Sequence, residues 1–181
     1  MKLNFRYSLF ALALSLVVPS LAQEMVDTAE EGFSQWQVAH ESATLEAGHE
    51  GKPGIKFALE DNASVFRRPD VTDWSDVGAV SFWAFSERAS RAVFGFALTS
   101  ENSSEMGWSY FYLPITVDWE GWKHFVVKRN QFKNARTPTW NNITQIRFSL
   151  ADWPAWCTAM PGESVIISDL KLLPAEEAAA Q

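Results

Sequence analysis

The chain is poor in the residues that build most metal and catalytic centres, with one cysteine, Cys157, and three histidines, His40, His49 and His124, among 181 residues. A lone cysteine forms no internal disulfide, so stability has to come from packing or from a bound ion. The histidines show no H-x-x-x-H spacing, and neither a G-x-S-x-G turn nor a Gly-rich phosphate loop occurs. Basic residues are outnumbered 15 to 22, for a net charge of −7. Such a surface repels phosphates, so no nucleic acid partner is expected. Beyond residue 22 no apolar run approaches the ~20 residues of a membrane span.

What is present starts with an export signal. Lys2 and Arg6 precede an apolar stretch from Leu9 to Val18, and Pro19-Ser20-Leu21-Ala22 offers small residues for cleavage before Gln23. Residues 1–22 read as a signal peptide, and the product as secreted or periplasmic. Cleavage removes Lys2 and Arg6 and no acid, taking the net charge from −7 to −9. No cysteine stands immediately after the cleavage site, so a free rather than lipid-anchored product is expected. One domain spans residues 27–173, and the Ala- and Glu-rich tail 174–181 reads as disordered. The N-x-[ST] sequons at Asn62, Asn102 and Asn142 matter only in a eukaryotic secretory pathway; the compact signal peptide points to a bacterium.

Period-two alternation recurs in Phe33 to Ala39, Ile55 to Leu59, Ala79 to Phe85, Arg91 to Thr99, Trp108 to Val117, Lys123 to Lys128, Ile146 to Leu150 and Ser164 to Leu173. Clusters of Gly, Pro, Asn, Asp and Ser separate these runs. Short strands at such spacing predict an all-β, antiparallel β-sandwich.

The nine tryptophans, thirteen phenylalanines and three tyrosines then have to be divided between core and surface. Between Trp108 and Val117, Phe111, Leu113, Ile115 and Val117 are purely apolar and belong inside. Trp108, Tyr110 and Tyr112 alternate with them, and their polar edges suit a half-wet face. Phe94, Phe96 and Leu98 point inward, leaving Gly95 and Ala97 as an outward floor. Arg147 alternates with Ile146 and Phe148. One outward face carrying Trp83, Tyr110, Tyr112 and Arg147 over that floor fits a sugar: ring C–H patches stack on aromatics, and arginine suits a uronate carboxylate. Trp83 fits the core equally well. Trp153 and Trp156, in the Pro-containing loop Ala151 to Cys157, either close over the core or clamp a ligand.

The segments Asp73-Trp74-Ser75-Asp76-Val77-Gly78-Ala79-Val80-Ser81-Phe82-Trp83-Ala84-Phe85-Ser86 and Val117-Asp118-Trp119-Glu120-Gly121-Trp122-Lys123, followed by Phe132 and Trp140, resemble galactose-binding-like carbohydrate-binding modules. The closing Val165-Ile166-Ile167-Ser168-Asp169-Leu170-Lys171-Leu172 is similar to their final strand. The resemblance implies a jelly-roll sandwich that binds a polysaccharide or oligosaccharide without catalysis, of the kind appended to polysaccharide lyases and glycoside hydrolases, here acting with a separate carbohydrate-active enzyme. It also implies a structural calcium, for which Asp169 with Glu30 or Glu31 supplies oxygen ligands. Ser168-Asp169 departs from the paired acids of that pattern. Trp122 reads as a core anchor.

Two other functions compete. A small lyase or glycosidase would use Asp118 with Glu120, or His124 with Tyr110 or Tyr112 and Arg147. A protein-binding adhesion module would use the same aromatic face.

Overall fold

The computed structural model describes residues 36–39, 43–100, 108–150 and 156–180. The signal peptide, Glu30, Glu31, His40, Asn102 and Trp153 lie outside them. Eleven strands follow in order: β1 (Trp36–Ala39), β2 (Ala43–Ala47), β3 (Pro53–Ala58), β4 (Ser64–Arg67), β5 (Val77–Ser86), β6 (Val93–Ser100), β7 (Ser109–Thr116), β8 (Gly121–Lys128), β9 (Lys133–Ala135), β10 (Ile143–Ser149) and β11 (Ser164–Pro174). They form a six-stranded sheet, β1-β4-β10-β6-β7-β9, and a five-stranded sheet, β2-β3-β11-β5-β8. Every pairing is antiparallel, as the alternating runs demand.

The sheets meet through phenylalanines. Phe82 on β5 packs edge-to-face on Phe96 and Phe148 of the opposite sheet, at 5.3 Å to each centroid. Phe57 on β3 meets Phe94 in the same way at 5.5 Å. All five rings are fully buried, the placement expected for edge-to-face aromatic packing in a dry core. Pro114 sits within β7 at no cost to the ladder, because β9 pairs only with Tyr110 to Tyr112 and leaves that edge open.

The eight strands read from alternation all exist. β2, β4 and β9 do not stand out in the sequence, being short or, in β2, built of Ala, Thr, Leu and Glu on an exposed edge. The tail corrects an expectation. Ala175–Ala180 is a helix, and Ala178 is buried. Gly78 makes this docking possible, since a Cβ there would lie 2.5 Å from the Ala175 Cα and 2.8 Å from the Ala178 Cβ. Among the described residues no helix is long and apolar enough to cross a membrane.

Candidate functional site

Strand pairing places the outward side chains of the six-stranded sheet in rows. One row runs Gln37, Phe66, Arg147, Ala97, Tyr112, Lys133. The next runs Gln145, Thr99, Tyr110, Ala135. Tyr110 and Tyr112 lie side by side on β7, centroids 5.9 Å apart and planes 58° apart. Small residues on β6 make the floor: Ala97 is 2% and Thr99 6% exposed.

Arg147 is held from several sides. Its guanidinium lies 5.1 Å from the Phe66 ring and 5.7 Å from the Trp108 ring. Its Nε donates to Gln145 Oε1 at 3.2 Å, and the Thr99 hydroxyl reaches the same oxygen at 3.5 Å. Trp108 is 60% exposed at the head of this arrangement.

Trp156 extends the aromatic wall beside Tyr112. Thr158 exchanges both backbone hydrogen bonds with Val93, at 3.0 and 2.9 Å, which ties the segment after Trp156 to the start of β6. The Trp156 indole then stacks on Tyr112, 4.5 Å between centroids and 20° from parallel. Trp156 therefore lies on the outward face rather than over the core. Trp108, Tyr110, Tyr112, Arg147 and Trp156, singled out in the sequence, converge on one trough. Phe66 and Lys133 also belong to it and were not anticipated; their strands, β4 and β9, carry four and three residues, too few to display alternation.

Trp83 is a correction. It lies on β5 in the other sheet, paired with Ser168 and His124, so the whole core separates it from the tyrosines. Alternation assigns a side chain to a face but not to a sheet. Its indole stacks on His49 at 3.7 Å and on His124 at 4.7 Å. Trp122, expected as a core anchor, shares this outward face, 5.3 Å from Phe85.

The acidic candidates are engaged by lysines. Asp169 receives Lys52 Nζ at 2.8 Å on Oδ1 and Lys171 Nζ at 3.3 Å on Oδ2. Burial alone would raise this carboxyl, but the two ammonium groups outweigh it and its pKa is lowered. Among the described residues no three His, Cys, Asp or Glu side chains gather to hold a metal; Glu30 and Glu31, the other ligands expected for calcium, lie outside them. Asp118 accepts from Lys123 Nζ at 2.9 Å, and that hydrogen bond, then the lysine's charge, lowers its pKa. His124 is on the five-stranded sheet and does not meet Tyr110, Tyr112 or Arg147.

No family model and no curated protein matches the chain. Solved structures do. A family 11 carbohydrate-binding module of a cellulosomal cellulase of Clostridium thermocellum superposes with a TM-score of 0.64 at 17% identity, covering 86% of this chain and 96% of that one. A family 11 module from the same organism, in complex with a β-1,3-1,4-mixed-linked tetrasaccharide, gives 0.65 at 18% identity, covering 83% and 95%. A family 30 module of another cellulosomal cellulase of that organism gives 0.56 at 13% identity, covering 77% of this chain and 86% of that one. The shared feature is the jelly-roll β-sandwich.

Proposed function

We propose that the mature protein is exported and binds a polysaccharide or oligosaccharide chain along the outward trough of the six-stranded sheet, without transforming it. The observation that carries this reading is the convergence of Trp108, Tyr110 and Tyr112, alternate residues leading into and along β7, with Trp156 from the segment after β10, on the face that carries Arg147 over a floor of small residues. Sugar rings present C–H patches to aromatic faces and hydroxyls to donors and acceptors at their edges. The 58° between the tyrosine planes makes a curved wall rather than a flat platform, which suits a single chain over a crystalline surface. The fold is shared with modules one of which is solved with a tetrasaccharide, which supports the ligand class. Acting beside a separate carbohydrate-active enzyme, the protein would hold that enzyme's substrate.

The test is calorimetry of the mature protein against an oligosaccharide and polysaccharide panel, with Tyr110→Ala as the variant. Loss of one ring stack is expected to weaken binding roughly tenfold, while stability stays within about 0.5 kcal/mol, as for most surface changes. Full affinity in Tyr110→Ala, or a large loss of stability, overturns the assignment.

A further inference from the structure

The chain as a whole is acidic, 22 Asp and Glu against 15 Lys and Arg. The trough is not. Among the described residues, the outward positions of β1, β4, β6, β7, β9 and β10 carry Gln37, Phe66, Thr99, Tyr110, Tyr112, Gln145 and small or apolar side chains, with two cations, Arg147 and Lys133, and no acid. Both cations stand in one row, separated by Ala97 and Tyr112. With strands ~4.8 Å apart, their backbones are about 14 Å from one another, longer than one sugar ring and along the direction that crosses the tyrosine.

Resting on the reading of the trough as a glycan site, we infer that its ligand is an anionic polysaccharide, recognised through carboxylate or sulfate groups by Arg147 and Lys133. Arg147 is prepared for this. The rings of Phe66 and Trp108 confine its guanidinium, and its Nε donates to Gln145 Oε1, so the group is held in one orientation on the outward face. A fixed guanidinium is matched to planar and tetrahedral oxyanions by its forked donors, and confinement lowers the entropy lost on binding. Phe66 and Gln145 are positioning residues, acting through the arginine. Lys133 is different: an exposed ammonium that adds attraction rather than geometry, and more so at low salt.

The experiment sets four polymers against the mature protein: polygalacturonate and alginate as uronates, ι-carrageenan as a sulfate ester, and mixed-linkage β-glucan as a neutral control. Affinity is measured at low and high salt for the wild type, Arg147→Gln, Lys133→Gln and Tyr112→Ala, each checked by thermal melt. The wild type is expected to favour at least one of the anionic polymers over the β-glucan, with uronate or sulfate preference read from the separate arms. Arg147→Gln is expected to weaken that polymer about tenfold or more, the scale of a charge-assisted hydrogen bond, with a smaller effect on the β-glucan. Lys133→Gln, exposed and harmless to the fold, is expected to weaken it less and mainly at low salt. Restoring the charge with Arg147→Lys is expected to recover little, because an ammonium lacks the fork. A wild type that prefers the β-glucan, or an Arg147→Gln variant that weakens all four polymers equally, overturns the anionic assignment while leaving the trough intact. Undiminished affinity in Tyr112→Ala, or no binding to any polymer, overturns the trough itself and this inference with it.

Discussion

The imidazole of His49 lies flat on the indole of Trp83, ring centroids 3.7 Å apart and planes 6° from parallel. The contact pins the short turn His49–Gly51, between β2 and β3, onto the outward face of the five-stranded sheet. The backbone N–H of His49 adds a hydrogen bond to the Ser168 hydroxyl at 3.2 Å, and that hydroxyl donates in turn to the Pro53 carbonyl at 2.9 Å. Trp83 thus works as an anchor for a turn.

Replacing it separates anchor from ligand platform. Trp83→Ala is expected to lose about 2 kcal/mol of stability, within the usual range for removing a packed ring, and to keep full affinity for glycan. Thermal melts and calorimetry on the same sample decide it; weakened glycan binding in a folded Trp83→Ala protein would return this residue to the site.

The second imidazole on Trp83, that of His124, sets a pH dependence. Burial is the largest influence and lowers its pKa below 6.5; Asp169 on β11 opposes this, while His49 on the turn and Lys171 on β11 lower it further. The folded protein therefore holds this proton less tightly than the unfolded chain. Stability is complete above about pH 6.5 and falls as the pH drops from there towards the lower folded value. The Tm is expected to decline between pH 7 and pH 5, and His124→Gln to flatten that decline. An identical slope in the variant would mean that other groups are responsible.

Much of this was legible in period-two alternation. Tyr110 and Tyr112 must oppose Phe111, Leu113 and Ile115, because a one-residue slip would expose the whole apolar set. Arg147 follows from Ile146 and Phe148 by the same logic. Sheet membership was not legible, because it depends on which distant strand pairs with which, and Trp83 falls on the other sheet for that reason; Trp122 precedes the alternating run Lys123 to Lys128, and its parity with His124 puts it on the outward face. Phe66 was invisible for another reason: the four residues of β4 carry too little pattern to mark a strand, and its contact with Arg147 is created by the β4–β10 pairing alone.

Calcium is open to direct measurement. Asp169 occupies the left-handed region, φ +53°, at the irregularity between Ser168 and Lys171, where its carboxylate bridges Lys52 and Lys171. With both oxygens held by ammonium groups, the Tm is expected to be indifferent to calcium and to chelator. A rise with added calcium would instead make Asp169, with the acidic lead, a metal site, since a ligand at 100 times its dissociation constant adds roughly 2.7 kcal/mol. Asp169→Asn tolerates the left-handed backbone while removing the charge, and is expected to cost about 1 kcal/mol or less, as for partly exposed ion pairs.

The Tyr112–Trp156 stack offers the sharpest test of whether the trough is preformed. Trp156 reaches Tyr112 because the Thr158–Val93 bridge holds its segment against β6, and the two rings lie 4.5 Å apart at 20°. If the tryptophan is a wall of the site, each residue contributes to ligand binding partly through the other. Tyr112→Ala removes the surface that supports Trp156, and Trp156→Ala exposes a face of Tyr112. The double variant is then expected to lose less affinity than the two single losses added together. The coupling should be about 0.5–1.5 kcal/mol, the worth of an aromatic pair beyond its buried area. Measuring glycan affinity of the four proteins in the cycle gives the value directly. Strict additivity would mean that the rings touch ligand independently and that the stack forms without consequence for binding.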